Sequence, residues 1–320
     1  MVLAAAAVAT ALAVRSDTAP GPPSLRVVFL GRISQSQDPT YLRLSKELAS
    51  LPTPLRSRLK LQFVPALLAD RYRIEDGVTE AISQRPDVII APSTTTARAV
   101  RQRRSGIPLL FVSFQNPLRT QVVDSLEKRL EPMTGVWIAD DLDTKRLELL
   151  RDAYPEVKSV AFLMDRSWAE DRDSELKLPA MAAQMGIRLQ IFYAEDGVEA
   201  HRLLDKISAE DFDAWCLPPT GLAYLHTAAI LRRIGEWQKP VVTGDFADIS
   251  QGAALSYGVD DSFRWPALME LLTRVLQGES PGDIPIQTPQ RFILAVRTTP
   301  GAKLPPPSLN VQRRADLLLK

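Results

Sequence analysis

Residues 87–97 read DVIIAPSTTTA, an apolar run that ends at Ala-Pro and continues into a serine and three threonines. The run VIIA shows no alternation of apolar and polar residues, which is typical of a strand covered on both faces in a parallel sheet. The hydroxyl residues that follow are typical of a helix start, and the pattern predicts a helix over 94–104. This strand–turn–helix unit recurs along the chain.

The same alternation of short apolar runs and longer amphipathic segments extends in both directions. The predicted strands are 25–30, 59–64, 87–91, 108–114, 135–138, 159–164, 187–193, 214–217, 240–243 and 253–256. The predicted helices are 41–51, 94–104, 143–154, 174–185, 198–207, 222–237 and 266–277. Strands that alternate with helices predict βαβ units, and therefore an α/β fold with parallel sheets and right-handed crossovers.

The strand–helix series runs twice, over about 25–130 and again from about 134 to 255, with no long low-complexity linker between them. We therefore expect two Rossmann-like lobes, 25–133 and 134–258, with a ligand cleft between them. Residues 259–320 are expected to form a crossover helix and a C-terminal tail that packs across both lobes. A single large doubly wound sheet is the alternative.

Composition and the absence of known motifs exclude several classes of function. The 320 residues include 39 Lys and Arg against 38 Asp and Glu, a formal net charge of +1, and this balance argues against a nucleic-acid partner. Cys216 stands alone in an apolar run, where a buried inert thiol is expected, and His201 and His226 have no second ligand at zinc spacing. Glycine-rich phosphate loops, GxSxG and HExxH are absent from the sequence. We predict a binding protein without catalytic residues, metal or cofactor.

The segment 1–24 resembles a secretory signal followed by a proline-rich linker. The apolar run 2–14 has 13 residues, fewer than the about 20 that span a bilayer, and Ala11 and Ala13 offer a small-residue cleavage site. Because no basic residue precedes the run, three alternatives follow: the true start lies upstream, the signal is weak, or the segment is an uncleaved anchor fragment. The segment predicts a periplasmic or other extracytoplasmic location.

Several ordered landmarks carry a family resemblance. They are DVIIAPSTTTA at 87–97, GIPLLFV at 106–112, TGV at 134–136, KRLELL at 145–150 and, as the most specific, GAALSYGVD at 252–260. In this order and spacing the chain resembles the solute-binding proteins of ABC transporters, tryptophan/tyrosine-binding type. The resemblance implies a periplasmic-binding-protein type I fold, a small organic ligand such as an aromatic or other amino acid, and a permease partner. It also implies a monomer. A sensory or regulatory protein of the same fold is the alternative function.

The ligand loops depart from the family pattern. The Thr-Pro-Ala turn of the family reads Thr94-Thr95-Thr96 here, and its Asp-Pro reads Asn116-Pro117. The family's PTDNT loop, whose Asp suits an amino group, reads PPTG at 218–221, which places Thr220 at the position of that Asp. The resemblance therefore supports the family's fold for this chain better than it supports the family's ligand.

Candidate ligand-binding residues follow from the rule that loops at the carboxyl ends of parallel strands face the cleft. They are Ser34, Gln35, Thr94, Thr95, Asn116, Asp165, Trp168, Thr220, Asp245 and Phe246.

Each role has a structural alternative. The helix start at Thr94 and Thr95 suits a carboxylate, with capping as the alternative for Thr94. Asp245 is the first choice to pair with an ammonium and Asp165 the second, and Asp245 has capping as its alternative. Trp168 and Phe246 are aromatic rings for a flat ligand, with simple packing as their alternative, and Ser34 and Gln35 have turn chemistry as theirs.

Export is testable directly. Expressed in a bacterial host, the mature protein is expected to begin between residues 14 and 25 and to partition with the periplasmic fraction, because the apolar run and small residues suit signal cleavage. N-terminal sequencing and intact mass measure this. A cytoplasmic protein that retains Met1 would contradict it.

Overall fold

The computed structural model describes residues 23–66, 74–172, 174–260, 262–289, 291–299 and 304–320. Apart from its last two residues, the predicted signal-like segment 1–24 lies outside this part of the chain. Within the described residues, no helix is both long and apolar enough to cross a membrane.

The first sheet is entirely parallel and has the strand order β2-β1-β3-β4-β5. Its strands are β1 Leu25–Gly31, β2 Leu59–Pro65, β3 Val88–Ala91, β4 Leu109–Ser113 and β5 Met133–Trp137. All four residues of β3 are buried, as the unbroken run VIIA predicts.

The second sheet has the order β12-β11-β10-β9-β8-β6-β7. Its strands are β6 Ser159–Met164, β7 Arg188–Tyr193, β8 Ala214–Leu217, β9 Val241–Thr243, β10 Leu255–Val259, β11 Phe292–Arg297 and β12 Leu317–Leu319. The pairing is parallel except between β10 and β11, which run antiparallel.

Helices cover both faces of each sheet, and each face has its own buried apolar cluster. They are α1 Pro39–Glu47, α2 Thr53–Arg56, α3 Ile74–Ser83, α4 Thr94–Gln102, α5 Asp143–Ala153, α6 Arg166–Arg172, α7 Ser174–Gln184, α8 Gly197–Leu204, α9 Gly221–Glu236, α10 Arg264–Leu276 and α11 Leu309–Arg314. The prediction of an α/β fold with two Rossmann-like lobes is confirmed.

One strand belongs to a different lobe from the one predicted. We expected the second lobe to begin at 134, but β5 pairs with β4 and closes the first sheet. The approach is close because Gly135 has no side chain: a Cβ there would lie 2.2 Å from the carbonyl oxygen of Phe111. Six elements were not predicted, because their sequences read as loop or tail segments. They are the helices α2, α3, α6 and α11 and the strands β11 and β12.

Among the described residues, the chain passes between the lobes three times. The first crossing lies between β5 and α5, and the second between β10 and α10. The third lies between Gln287 and β11, because Gln287 still pairs with Val136 of the first sheet. Helix α10 packs on the first sheet, whereas β11 and β12 extend the second.

A buried ion cluster lies at the first of these crossings. Arg146 in α5 is fully buried, and its guanidinium nitrogens lie 2.5 Å from Asp140 Oδ2 and 2.9 Å from Asp143 Oδ1. Its Nε donates to the carbonyl oxygen of Tyr257 at 2.9 Å. Burial alone lowers the pKa of Arg146, but the two carboxylates outweigh burial and raise that pKa above its usual value. The cluster therefore joins the first crossing to α5 and β10.

The lone cysteine lies in the centre of the second sheet. Cys216 is a residue of β8 with no exposed surface, as predicted. Burial, with Asp143 adding to it and Arg146 opposing it, raises the pKa of its thiol well above the ordinary value.

The ion cluster yields a stability prediction. Arg146→Ala leaves two buried carboxylates without their cation and is expected to lower the free energy of unfolding by about 3–5 kcal/mol. Arg151→Ala is the matched control in the same helix, because its ion pair with Asp152 is partly exposed and worth no more than about 1 kcal/mol. Urea unfolding monitored by circular dichroism measures both. Equal losses in the two variants would contradict the prediction.

Candidate functional site

A cavity of about 1080 Å³, the main cavity, lies between the two lobes. Residues that follow strands of both sheets line it, as expected at the carboxyl ends of parallel strands. The principal polar residues are Arg32, Thr94 and Thr95 from the first lobe and Asp165, Asp196 and Thr220 from the second.

The first lobe contributes the N-terminus of α4. Ser93 caps this helix by accepting from the backbone N–H of Thr96, and no acidic residue occupies its first turn. Thr94 is buried with its hydroxyl oxygen 2.7 Å from that of Ser113, whereas Thr95 is exposed. First-turn N–H groups have no acceptor within their own helix, so this uncharged N-terminus suits a carboxylate.

The second lobe presents two helix N-termini that already carry a carboxylate. Asp196 Oδ1 accepts from Val198 N and Glu199 N at 2.8 Å at the start of α8. At the start of α9, Asp165 Oδ2 accepts from Leu222 N at 3.4 Å. Because these anions offset the helix dipoles, this wall disfavours a further anion and suits a cation. The two walls of the cleft therefore have opposite preferences.

The structure brings five of the ten predicted site residues together in this cavity. They are Thr94, Thr95, Asp165, Trp168 and Thr220. Thr220 also caps α9, because its hydroxyl oxygen accepts from Ala223 N at 3.2 Å.

Trp168 lines the cavity as a packed wall and is only 2% exposed. Its indole N–H donates to Asp143 Oδ2 at 3.0 Å, and its ring belongs to the apolar core of the second lobe. The placement corrects the expectation of a ring free to stack on a ligand.

Three further predicted residues stay in local turns outside the cavity. Ser34 donates to Gln37 Oε1 at 2.8 Å, and Gln35 donates through Nε2 to the hydroxyl of Tyr41 at 3.0 Å. The Oδ1 of Asn116 accepts from the backbone N–H of Leu118 at 3.0 Å.

Asp245 and Phe246 also lie outside the main cavity. Asp245 caps a 3₁₀ helix over Phe246–Gln251 by accepting from Ala247 N at 2.9 Å, which is the structural alternative given for it, and it lines a smaller adjoining cavity. Phe246 is 37% exposed on that same 3₁₀ helix. Of the two predicted cation partners, Asp165 is the one that lines the cleft.

Sequence reasoning missed several cavity residues, among them Arg32, Arg264 and both histidines of the chain. Burial lowers the pKa of His226, and His201 and Arg32 add to this effect against Asp196. Arg32 directly follows β1, and this position was the sequence signal that could have placed it at the cleft.

A smaller cavity of about 350 Å³ adjoins the first and shares with it Phe114, Pro219, Leu225 and Arg264. Asp248 lines this side cavity and is 8% exposed. Burial, followed by the nearby Asp245, raises the pKa of Asp248 to about 7, with a hydrogen bond from Thr243 opposing the rise. In the part of the chain that the structure describes, no three metal-ligating side chains meet.

The raised pKa of Asp248 predicts a pH-dependent stability. Between about pH 4 and pH 7 the folded state holds a proton on this carboxyl that the unfolded state has lost, so stability falls as pH rises through that window. Asp248→Asn removes this contribution and is expected to flatten the profile by up to about 1.4 kcal/mol per pH unit. Urea unfolding at several pH values measures it, and parallel profiles for wild type and variant would contradict it.

Comparison with known proteins identifies the family. Residues 64–304 match the family model described as ABC transporter substrate binding protein. A tyrosine-binding protein of Clostridioides difficile is 24% identical over 207 residues, which are 65% of this chain and 59% of that relative. A conserved domain protein from Vibrio cholerae has a TM-score of 0.77 at 19% identity, covering 92% of this chain and 99% of that one.

A domain from Streptococcus pneumonia, solved in complex with L-Trp, has a TM-score of 0.72 at 18% identity and covers 92% of this chain and 100% of that one. Likeness at this identity shows the fold, and with the family match it confirms the predicted type I periplasmic-binding-protein architecture. The chain belongs to the ABC transporter substrate-binding protein family.

Proposed function

We propose that this protein is an extracytoplasmic solute-binding protein of an ABC importer that takes up a zwitterionic small molecule, an amino acid with an apolar side chain. The observation that carries this proposal is the opposite preference of the two cleft walls. A neutral, serine-capped helix N-terminus faces the cleft from the first lobe, and two N-termini that each have a carboxylate hydrogen-bonded to the first turn face it from the second.

The polar ends of such a ligand have matching partners. Its carboxylate is placed at the start of α4, beside Thr94 and Thr95. Its ammonium is placed against Asp165, whose carboxylate is only 8% exposed and therefore interacts strongly with a charge inside the closed cleft.

The rest of the cavity suits an apolar side chain. Ile33, Val112, Phe114, Leu225 and Trp265 line it between the two polar walls. Aromatic amino acids are the first candidates, because the fold resembles a domain solved with L-Trp and the sequence resembles a tyrosine-binding protein.

Transport requires the ligand to be held between the lobes and then released to a membrane partner. We propose that a ligand contacting both walls stabilises the closed state by a hinge motion at the three crossings. A permease would receive the loaded protein outside the cytoplasm, in agreement with the signal-like segment 1–24. The binding protein acts as a monomer in this scheme.

A ligand screen tests the proposal. At 100 times its dissociation constant a bound ligand adds about 2.7 kcal/mol of stability, which raises the melting temperature by several degrees. L-tryptophan, L-tyrosine and L-phenylalanine are expected to do so in a thermal shift assay, and uncharged polyols are not. A panel of amino acids that leaves the melting temperature unchanged would overturn the proposal.

Substitution of two aspartates, one at a time, tests where the ammonium of the ligand binds. Asp165→Asn is expected to weaken binding of L-tryptophan about 10- to 100-fold, because a hydrogen bond to a charged group is worth about 1.5–3 kcal/mol. Asp245→Asn is the control, since Asp245 caps a 3₁₀ helix outside the main cavity. Isothermal titration calorimetry measures both, with the ligand-free melting temperature as a check on folding. A loss confined to Asp245→Asn would assign the ammonium to the side cavity instead.

A further inference from the structure

Arg32 extends from the first lobe towards the second. It follows β1 directly, and its backbone N–H donates to Asp38 Oδ2 at 3.2 Å, which fixes its main chain beside the start of α1. Its Nη1 nevertheless lies 3.2 Å from the point where a Cβ of Gly221 would stand. Gly221 is the first residue of α9, in the second lobe.

Asp165 approaches the same Cβ position from the second lobe. Its Oδ2 lies 3.4 Å from the Cβ position of Gly221, so the cation of one lobe and the anion of the other are within about 7 Å. Arg32 also acts on His226 of α9, whose pKa is lowered first by burial and further by His201 and Arg32. The distance to Gly221 therefore places this guanidinium against the second lobe, and the effect on His226 agrees with it.

Gly221 leaves the space that this arrangement requires. A Cβ at 3.2 Å from Nη1 is closer than side chains ordinarily pack, so an alanine here would shift the guanidinium by a few tenths of an ångström and a larger side chain would displace it further. Gly235 in the same helix has nothing within 4 Å of its Cβ position, which shows that the restriction belongs to the cleft end of α9.

We propose that Arg32 is an interlobe clasp, which holds the lobes closed by pairing with Asp165 at the start of α9 and so selects ligands that carry both charges. The selection part rests on the proposed function; the closure part does not. Arg32 is a residue that sequence reasoning did not single out.

The selectivity follows from what an inserted ligand does to the pair. A neutral polyol between Arg32 and Asp165 separates a partly buried guanidinium from a buried carboxylate and leaves the two charges unpaired with each other. A zwitterion whose carboxylate lies at the start of α4 also offers that carboxylate to Arg32 and its ammonium to Asp165, so both charges stay paired. An anion or a cation alone satisfies only one side.

The closure part is tested without ligand by small-angle X-ray scattering. The wild-type radius of gyration is expected to be near the about 20 Å of a compact chain of this size, and Arg32→Gln and Gly221→Val to raise it by about 1 Å. Gly235→Val is the matched control in the same helix and should match wild type. Wild type in about 1 M salt should also expand, since screening weakens the pair. Equal radii for wild type and both cleft variants would overturn the clasp.

The selectivity part is tested by titrating L-tryptophan and its carboxamide, which keeps the ammonium but lacks the carboxylate. Wild type is expected to prefer L-tryptophan at least about tenfold, and Arg32→Gln to reduce that preference severalfold. An unchanged preference in Arg32→Gln would refute the selectivity. If wild type binds neither probe, the proposed ligand class fails, and the scattering result still decides the clasp.

Discussion

The buried guanidinium of Arg146 is the interaction on which the two-lobed arrangement depends. It lies between Asp140, in the first crossing between the lobes, and Asp143, in the first helix of the second lobe, and it donates to the carbonyl oxygen of Tyr257 in the middle of β10. A fully buried charge is tolerated only when its hydrogen-bonding capacity is met, so these segments have little freedom to move separately. Asp143 extends the same cluster to the indole of Trp168, which forms part of the cleft wall. The first crossing between the lobes and the wall of the site thus share one ion cluster.

The two lobes have similar architecture and differ in how their helices begin at the cleft. A serine caps α4, while Asp196 caps α8 and Asp165 meets the start of α9. A neutral cap leaves the positive end of the helix dipole available, and a carboxylate cap offsets it. The presence or absence of a carboxylate at these helix starts therefore gives the cleft one wall for an anion and one for a cation, without any change in the backbone fold.

Much of the fold was predictable because its signals are local. The runs VIIA and SVAFLM identify buried strands within a few residues, and Thr94 and Thr95 were placed at the cleft because they follow one of them. The lobe to which β5 belongs was not predictable, since it depends on the close approach of Gly135 to Phe111 in a neighbouring strand.

The sequence also could not decide whether Asp165 or Asp245 faces the main cavity as the partner for a cation. Both follow strands, but they follow β6 and β9, and only the order of strands across the sheet decides which of the two faces the main cavity. The partnership of Arg32 with the second lobe is likewise a contact between distant parts of the chain. Strand order and contacts across a cleft leave no trace in a local sequence pattern.

The buried thiol of Cys216 has a practical consequence for following lobe movement in solution. Because it has no exposed surface and its pKa is raised, it offers almost no thiolate to maleimide or iodoacetamide reagents. A pair of cysteines introduced at the surface, one on each lobe, will therefore accept fluorophores while the native residue stays in place. The sequence provides a background in which distance changes between the lobes can be read by energy transfer, with no need to replace Cys216 in the core of the second sheet.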